Sequence, residues 1–242
     1  MVMKIALCTT CSNRLYQFIQ TFDHNNEVVK NNADAEWIIV NYGSKDNLHE
    51  FMVDRLPSMS HRVLYANEVS GRDWNLSCAK NAAHLLASGD ILVSLDCDNF
   101  IGNTLDIVRD KFSVGIELLH LWSGTYGDGT HGRVALTNKL FNSVGGYDES
   151  FYPMGYQDTD LFNRAVAFGA KHEKVISNQI YAIKNSKVDS VKHVKSESMT
   201  WEDMELKNRL VGIENIKNNK LIANMPHGMA KPIAQIFRGG IA

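Results

Sequence analysis

Cysteine, proline and charge of one sign are all scarce in this chain. Four cysteines in 242 residues are too few for a disulfide-stapled scaffold. Four prolines exclude long proline-rich linkers. Lys plus Arg number 25 and Asp plus Glu 27, a formal charge of −2. So flat a balance argues against binding nucleic acid by overall charge, and no nucleic-acid partner is expected. No apolar run approaches the roughly 18–20 residues of a membrane span. The longest, such as Trp37–Val40 and Ile91–Val93, are strand-sized. Met1–Leu7 is a short apolar run with Lys4 inside it, unlike a secretory signal with its longer apolar stretch and small-residue cleavage site. The expectation is a cytoplasmic protein, at most peripheral to a membrane. On that expectation the Asn75-Leu76-Ser77 sequon carries no glycan.

What is present is ordinary for a globular chain: 44% hydrophobic and 21% charged residues. The length suits one to two domains and a core that needs no staples. Lys4–Cys8 reads as a strand, and Leu15–Phe22, apolar at 15, 18, 19 and 22, as a helix. Glu36–Val40 and Arg62–Ala66 are further strands, with a helix over Leu48–Leu56 between them. Trp74–Ser88 carries Cys78, Ala79, Ala82, Leu85 and Leu86 on one helical face, and Gly89 stops it. Asp90–Leu95 is a near-continuous apolar strand, as when both faces are covered. Strands alternating with helices predict an α/β domain with a mostly parallel central sheet flanked by helices. Later segments read as strands over Ser113–Trp122, Arg133–Thr137 and Ile176–Ile183, and helices over Asn138–Ser143 and Leu161–Phe168. A charged helix follows over Glu197–Asn219, and the tail has apolar residues 233, 236 and 237 at helical spacing. The expected division is a domain over 1–195 and a helical C-terminal extension over 196–242 packing on it. Cys8-Thr9-Thr10-Cys11 is a C-x-x-C, but no second C-x-x-C or H-x-x-x-H completes a metal site nearby. Small buried residues at a strand end are the simpler reading, against a redox pair or half a zinc site.

Two acidic turns carry chemistry. Asp96-Cys97-Asp98-Asn99 follows the apolar strand Ile91–Leu95, and ligands of open α/β sheets bind beyond the carboxyl ends of strands. Paired carboxylates there suit a hard divalent cation, or else a solvated turn or helix cap. The second turn is Gly145-Gly146-Tyr147-Asp148-Glu149-Ser150-Phe151, leading into Gly155-Tyr156-Gln157-Asp158-Thr159-Asp160-Leu161. Asp158 and Asp160 suit helix capping about equally; the functional alternative is a general base aimed at a hydroxyl.

Together these stretches resemble the GT-A glycosyltransferases, family 2 and the carboxyl-terminal region of the β-1,4-galactosyltransferases in particular. Ala79-Lys80-Asn81, Ala87-Ser88-Gly89-Asp90 and Leu95-Asp96-Cys97-Asp98 resemble the family 2 pattern. The stretch from Gly145 to Arg164 resembles the galactosyltransferase motif. The resemblance spans roughly residues 4–195 and implies the GT-A fold. It also implies a metal-dependent inverting transferase using a nucleoside-diphosphate sugar, with a UDP-sugar expected. The acceptor would be a hydroxyl of a glycan or lipid-linked saccharide. Asp98 then resembles the ligand of Mn²⁺ (or Mg²⁺), Asp96 its partner on the ribose or the metal's water, and Asp158 the base. Thr9–Arg14 resembles the first nucleotide loop, with Thr9 and Arg14 as donor contacts. Lys80 belongs to the same donor-binding set. Asn41 stands where an Asp usually reads uracil, Gln157 replaces a Glu, and Tyr156 a Gly. The resemblance offers His193 as an imidazole ligand of the metal, with His172 competing. The glycine-rich Gly124–Gly129 suits a lid or a plain connection, with Trp122 and Tyr126 as sugar-stacking or core residues. A sugar-phosphate nucleotidyltransferase and a noncatalytic sugar-nucleotide-binding module are the competing classes. The absence of glycine from Thr9–Arg14 counts against the first, and the intact acidic turns against the second.

Overall fold

The computed structural model describes residues 3–195 and 198–240. Its first half alternates strand and helix: β1 (Ile5–Cys11), α1 (Leu15–Asn31), β2 (Ala35–Tyr42), α2 (Leu48–Arg55), β3 (Val63–Glu68), α3 (Leu76–Leu86) and β4 (Ile91–Ser94). The second half is less regular. It contains α4 (Thr104–Ser113), β5 (Leu118–Trp122), β6 (Val134–Thr137), α5 (Asn138–Ser143), α6 (Gln157–Ala167), β7 (His172–Ile176), α7 (Lys187–Val191), α8 (Trp201–Lys217) and β8 (Ala234–Arg238).

The strands form one sheet in the order β7-β5-β6-β4-β1-β2-β3-β8. Its centre, β3-β2-β1-β4, is parallel. β6 runs antiparallel beside β4 and β5, and β7 runs parallel to β5. Period-two alternation splits the central strands between two cores. Ile5, Leu7, Trp37, Ile39 and Tyr65 face one core, filled by Phe18 and Phe22 of α1 and Leu105 and Val108 of α4. Ala6, Cys8, Ile38, Val40 and Ala66 face the other, filled by Ala79 and Ala83 of α3, Phe141 of α5 and Leu161 of α6. A sheet covered on both faces needs apolar residues at every position, which explains the unbroken runs in the sequence. Cys8 and Cys11 fall on opposite faces, so the C-x-x-C does not converge on one ion; both thiols are free and buried.

Four expectations change. α4 lies where the sequence pattern predicts no element. The strand expected over Ser113–Trp122 begins only at Leu118. The late strand expected over Ile176–Ile183 lies earlier, at β7, and Ala182 makes only an isolated bridge to Asn99. β7 is a sheet edge whose residues alternate between exposed and partly buried, and its charged residues hide the strand pattern. The helical C-terminal extension expected over 196–242 does contain α8, but residues 233, 236 and 237 do not form a helical face. Ala234–Arg238 is a strand that pairs antiparallel with β3, Leu64 opposite Arg238 and Glu68 opposite Ala234. A short apolar run fits either period, and its partner lies far away in the chain.

Candidate active site

The first acidic turn leaves the carboxyl end of β4. Arg133, fully buried, holds it from below, donating to Asn99 Oδ1 at 2.8 Å, the Phe100 carbonyl at 2.8 Å and Thr104 Oγ1 at 2.8 Å. Asn99 Nδ2 donates to Asp98 Oδ1 at 2.8 Å and so aims that carboxylate. Asp98 faces a cavity of about 520 Å³ that Asp96, Arg14 and Asp158 also line. Burial, and then the charge of Asp96, push the Asp98 carboxyl up to about 6. The nearest cation, Arg14, stands 3.8 Å away.

The second acidic turn is tied to α3. Asn81 donates to the Tyr147 carbonyl at 2.9 Å and Glu149 Oε1 at 2.8 Å, and accepts from Tyr147 N at 2.8 Å. Gly146 permits this approach: its φ is +67°, and a Cβ there would lie 2.6 Å from Asn81 Oδ1. One residue earlier, Lys80 reaches both acidic turns. Its Nζ is 2.6 Å from Asp158 Oδ1 and 3.1 Å from Asp96 Oδ1. Burial pulls the Lys80 ammonium down, but Asp158 and Asp96 outweigh it and hold the group well above its ordinary value. Asp158 opens α6. Burial raises its carboxyl, and Lys80 offsets only part of the rise.

The two Asp158 oxygens differ. Oδ1 takes Lys80 and the Tyr147 hydroxyl, the latter at 3.2 Å. Oδ2 accepts no hydrogen bond among the described residues. A Cβ on Gly132 would lie 2.9 Å from that oxygen and 3.0 Å from Asp96 Oδ2; glycine leaves the space beside both carboxylates open. Asp160 is disposed differently. It makes a fully buried 2.7 Å ion pair with Arg164, which also donates to the carbonyls of Val144 and Gly146. Of the two acids that suited helix capping, Asp158 faces the cavity and Asp160 faces the core.

The remaining anticipated residues divide. Arg14 lines the cavity. Thr9 does not: it accepts from Trp37 Nε1 at 2.9 Å beneath the sheet end, while Thr10, on the opposite side of the strand, lines the cavity. Asn41 is buried and occupied. It donates to Asn67 Oδ1 at 3.0 Å and Tyr65 Oη at 3.3 Å, and accepts from Ser44 N at 3.0 Å. His193 is exposed at the cavity rim; His172 is exposed on β7 and is not among the cavity-lining residues. No three His, Cys, Asp or Glu side chains converge as a ready metal site among the described residues. The acidic turn nevertheless fits a divalent cation. Asp98 is a buried carboxylate beside Asp96, with Arg14 3.8 Å from Asp98 and Lys80 bound to Oδ1 of Asp96. Mg²⁺-like ions are held this way, by one or two carboxylates plus substrate phosphate and water.

Other site residues had weak local signals. Tyr156, before α6, has φ +73°, a left-handed conformation that costs about 1 kcal/mol outside glycine. That explains why glycine suits this position in the related motif. Asn208, from α8, is buried and grips the loop before Asp158. It donates to the carbonyls of Tyr152, Met154 and Gly155 and accepts from Tyr152 N. Asn224 likewise donates to the carbonyls of Gly145 and Tyr147 and accepts from Glu149 N. Nothing in the sequence near 208 or 224 points to the turn that these side chains serve. Gly132 was visible only as one of several loop glycines. In the Gly124–Gly129 loop, Asp128 accepts from Thr130 and Ser123, and Tyr126 stacks on His131 above the cavity.

Residues 111–194 match the family model described as the N-terminal domain of galactosyltransferase. No curated protein sequence matches the chain. Among solved structures, S. aureus TarS 1–349 in complex with UDP-GlcNAc is similar with a TM-score of 0.67 at 13% identity, over 93% of this chain and 68% of that one. The mannosyltransferase PcManGT from Pyrobaculum calidifontis, in complex with GDP-Man and Mn²⁺, gives 0.61 at 12% identity, over 92% and 72%. The catalytic domain of Drosophila β1,4-galactosyltransferase 7, in complex with xylobiose, gives 0.55 at 16% identity, over 86% and 81%. The fold is that of the GT-A glycosyltransferases. Fold and family segment agree on one class of enzyme, the glycosyltransferases, and within it the segment 111–194 is galactosyltransferase-like. No helix among the described residues is long and apolar enough to cross a membrane.

Proposed function

We propose that this protein is an inverting, metal-dependent glycosyltransferase. It moves a sugar from a nucleoside-diphosphate donor, a UDP-sugar, to a hydroxyl of a glycan or lipid-linked saccharide. The observation that carries this reading is the unpaired Oδ2 of Asp158. It opens on the cavity that Asp96 and Asp98 line, beside the gap that Gly132 leaves. Lys80 and Tyr147 fix Oδ1, so the carboxylate is oriented and its second oxygen keeps a lone pair for a proton.

In the reaction the acceptor O–H gives its proton to Asp158 Oδ2 while its oxygen attacks the anomeric carbon from the side opposite the diphosphate. The anomeric C–O bond breaks, and its electron pair leaves with the diphosphate. Asp98 and Asp96 would hold the divalent cation, His193 being the candidate third ligand. When bound, that cation supplies Lewis-acid stabilisation of the departing diphosphate. Arg14 faces the same space and adds positive charge beside the phosphates. Lys80 keeps Asp96 and Asp158 from repelling each other before donor arrives. The neighbours' UDP-GlcNAc, GDP-Man, Mn²⁺ and xylobiose complexes support the donor, metal and acceptor classes. Thr9 and Asn41 act from beneath, shaping the ends of β1 and β2 rather than touching the donor.

The test is a panel of UDP- and GDP-sugars with saccharide acceptors, with Mn²⁺ or with EDTA, and product configuration read by NMR. Mn²⁺-dependent nucleoside diphosphate release with an inverted anomeric centre supports the reading. A retained configuration, or full activity in EDTA, overturns it.

A further inference from the structure

α8 is apolar on the wrong side for a helix that only packs on its own domain. The face against the protein carries Met204, Asn208 and Gly212. The opposite face carries Leu206, Leu210 and Ile213, each about half exposed. At about 100° per residue these three fall within roughly 60° of arc, a continuous apolar stripe. The helix is firmly set. Thr200 and Asp203 form a reciprocal capping box at its start, and Asn208 anchors its middle.

We propose that this stripe is the interface of a homodimer, in which α8 packs antiparallel on α8 of a second copy about a twofold axis at Leu210. One edge of the stripe favours this occupant, while on the other edge the axis sets Arg209 beside its own copy. In such a pairing, residues equally far from Leu210 on either side meet across the axis. Leu210 then meets itself, Leu206 meets the region of Ile213, and Asp203 meets Lys217. Lys207 and Glu214 lie on the same edge of the stripe, three residues before and four after Leu210. A twofold axis keeps that edge on the same side, so each Lys207 faces the second copy's Glu214, twice over. Lys207 makes no ion pair within 4 Å among the described residues; it lies over the Tyr152 ring at 4.9 Å, 3.2 Å from Met199 Sδ, and one turn from Asp203. Glu214 has a loose 3.9 Å pair with Lys217 and accepts from Asn218. A membrane surface is the poorer fit, because the rim mixes Glu202, Asp203 and Glu214 with Lys207, Arg209 and Lys217 rather than being basic.

Sedimentation equilibrium of the full chain over roughly 5–200 µM tests this, since one helix pair makes an interface of the small, weak class. The wild type shifts toward twice the monomer mass within that range. Leu210→Glu, with circular dichroism confirming the fold, remains monomeric throughout. Lys207→Glu places two acidic groups opposite each other and weakens dimerisation about tenfold or more. Adding Glu214→Lys to it restores the dimerisation constant to within about threefold of wild type. A monomeric wild type at about 200 µM overturns the proposal. So does a Leu210→Glu dimer, or a charge swap that fails to restore association.

Discussion

Acidifying this protein from pH 8 to pH 5 tests the burial of His84. The imidazole sits inside α3, stacked on Phe141 at 4.8 Å between ring centroids. Its Nδ1 lies 2.7 Å from the Lys80 carbonyl, which fixes the proton on Nδ1, while Nε2 is buried with no partner among the described residues. A second proton would need a buried, unpaired N–H beside the Lys80 ammonium. Burial first, and then the charge of Lys80, push His84 down to about 3. The sign follows from linkage: the unfolded chain takes up a proton near pH 6.5 and the folded chain does not. The stability that a neutral His84 contributes is complete above pH 6.5 and is lost as pH falls below it. Each further pH unit costs about tenfold in the folding equilibrium, so pH 8 to 5 costs roughly 2 kcal/mol, about thirtyfold. His84→Gln keeps a donor for the Lys80 carbonyl and does not titrate. Urea unfolding of both proteins at pH 5, 6, 7 and 8 isolates this residue from His120 and His131, which burial also lowers. The gap in stability between wild type and variant should narrow or reverse by roughly 2 kcal/mol toward pH 5. A gap that is constant across the range would refute the buried, neutral imidazole.

Three substitutions probe the site. Lys80→Met leaves Asp96 and Asp158 facing each other without their cation. Allowing for the 34% exposure of Asp96, it should cost about 3 kcal/mol and roughly 10 °C in Tm. An unchanged melting curve would contradict the shared ion pair. Gly132→Ala adds a methyl against Asp158 Oδ2; the protein should melt within about 2 °C of wild type yet lose about tenfold or more in transfer. Full activity would mean the gap beside Oδ2 is not used. Asn208→Ala removes four hydrogen bonds to the loop before Asp158. It should raise the acceptor KM with donor affinity unchanged in titration calorimetry, and an equal loss of donor binding would place its role elsewhere.

The sequence was most readable where burial is most complete. The parallel strands β1 to β4 and helices α1 to α3 appear in it because both sheet faces demand apolar residues and the helices present one apolar side. The acidic turns are readable too, because Asp96, Asp98 and Asp158 sit in short motifs at strand and helix ends. What escaped depends on long-range pairing or on orientation. β8 finds its partner β3 across most of the chain, and β7 is a charged edge. Thr9 and Thr10 are chemically alike, and only strand alternation decides which one reaches the cavity. Asn41 is consumed by Tyr65, Asn67 and Ser44, partners no motif contains. The unpaired oxygen of Asp158 depends jointly on Lys80, Tyr147 and Gly132, from three separate parts of the chain.

The most direct measurement is the turnover of Asp158→Asn with saturating donor and Mn²⁺, followed as nucleoside diphosphate release and set beside donor affinity from calorimetry. The substitution keeps the shape of the side chain and removes the base. Turnover should fall about 10²–10⁴-fold, with donor affinity within about threefold of wild type. A variant that binds donor normally and turns over within about tenfold of wild type would contradict the assignment of Asp158 as the base.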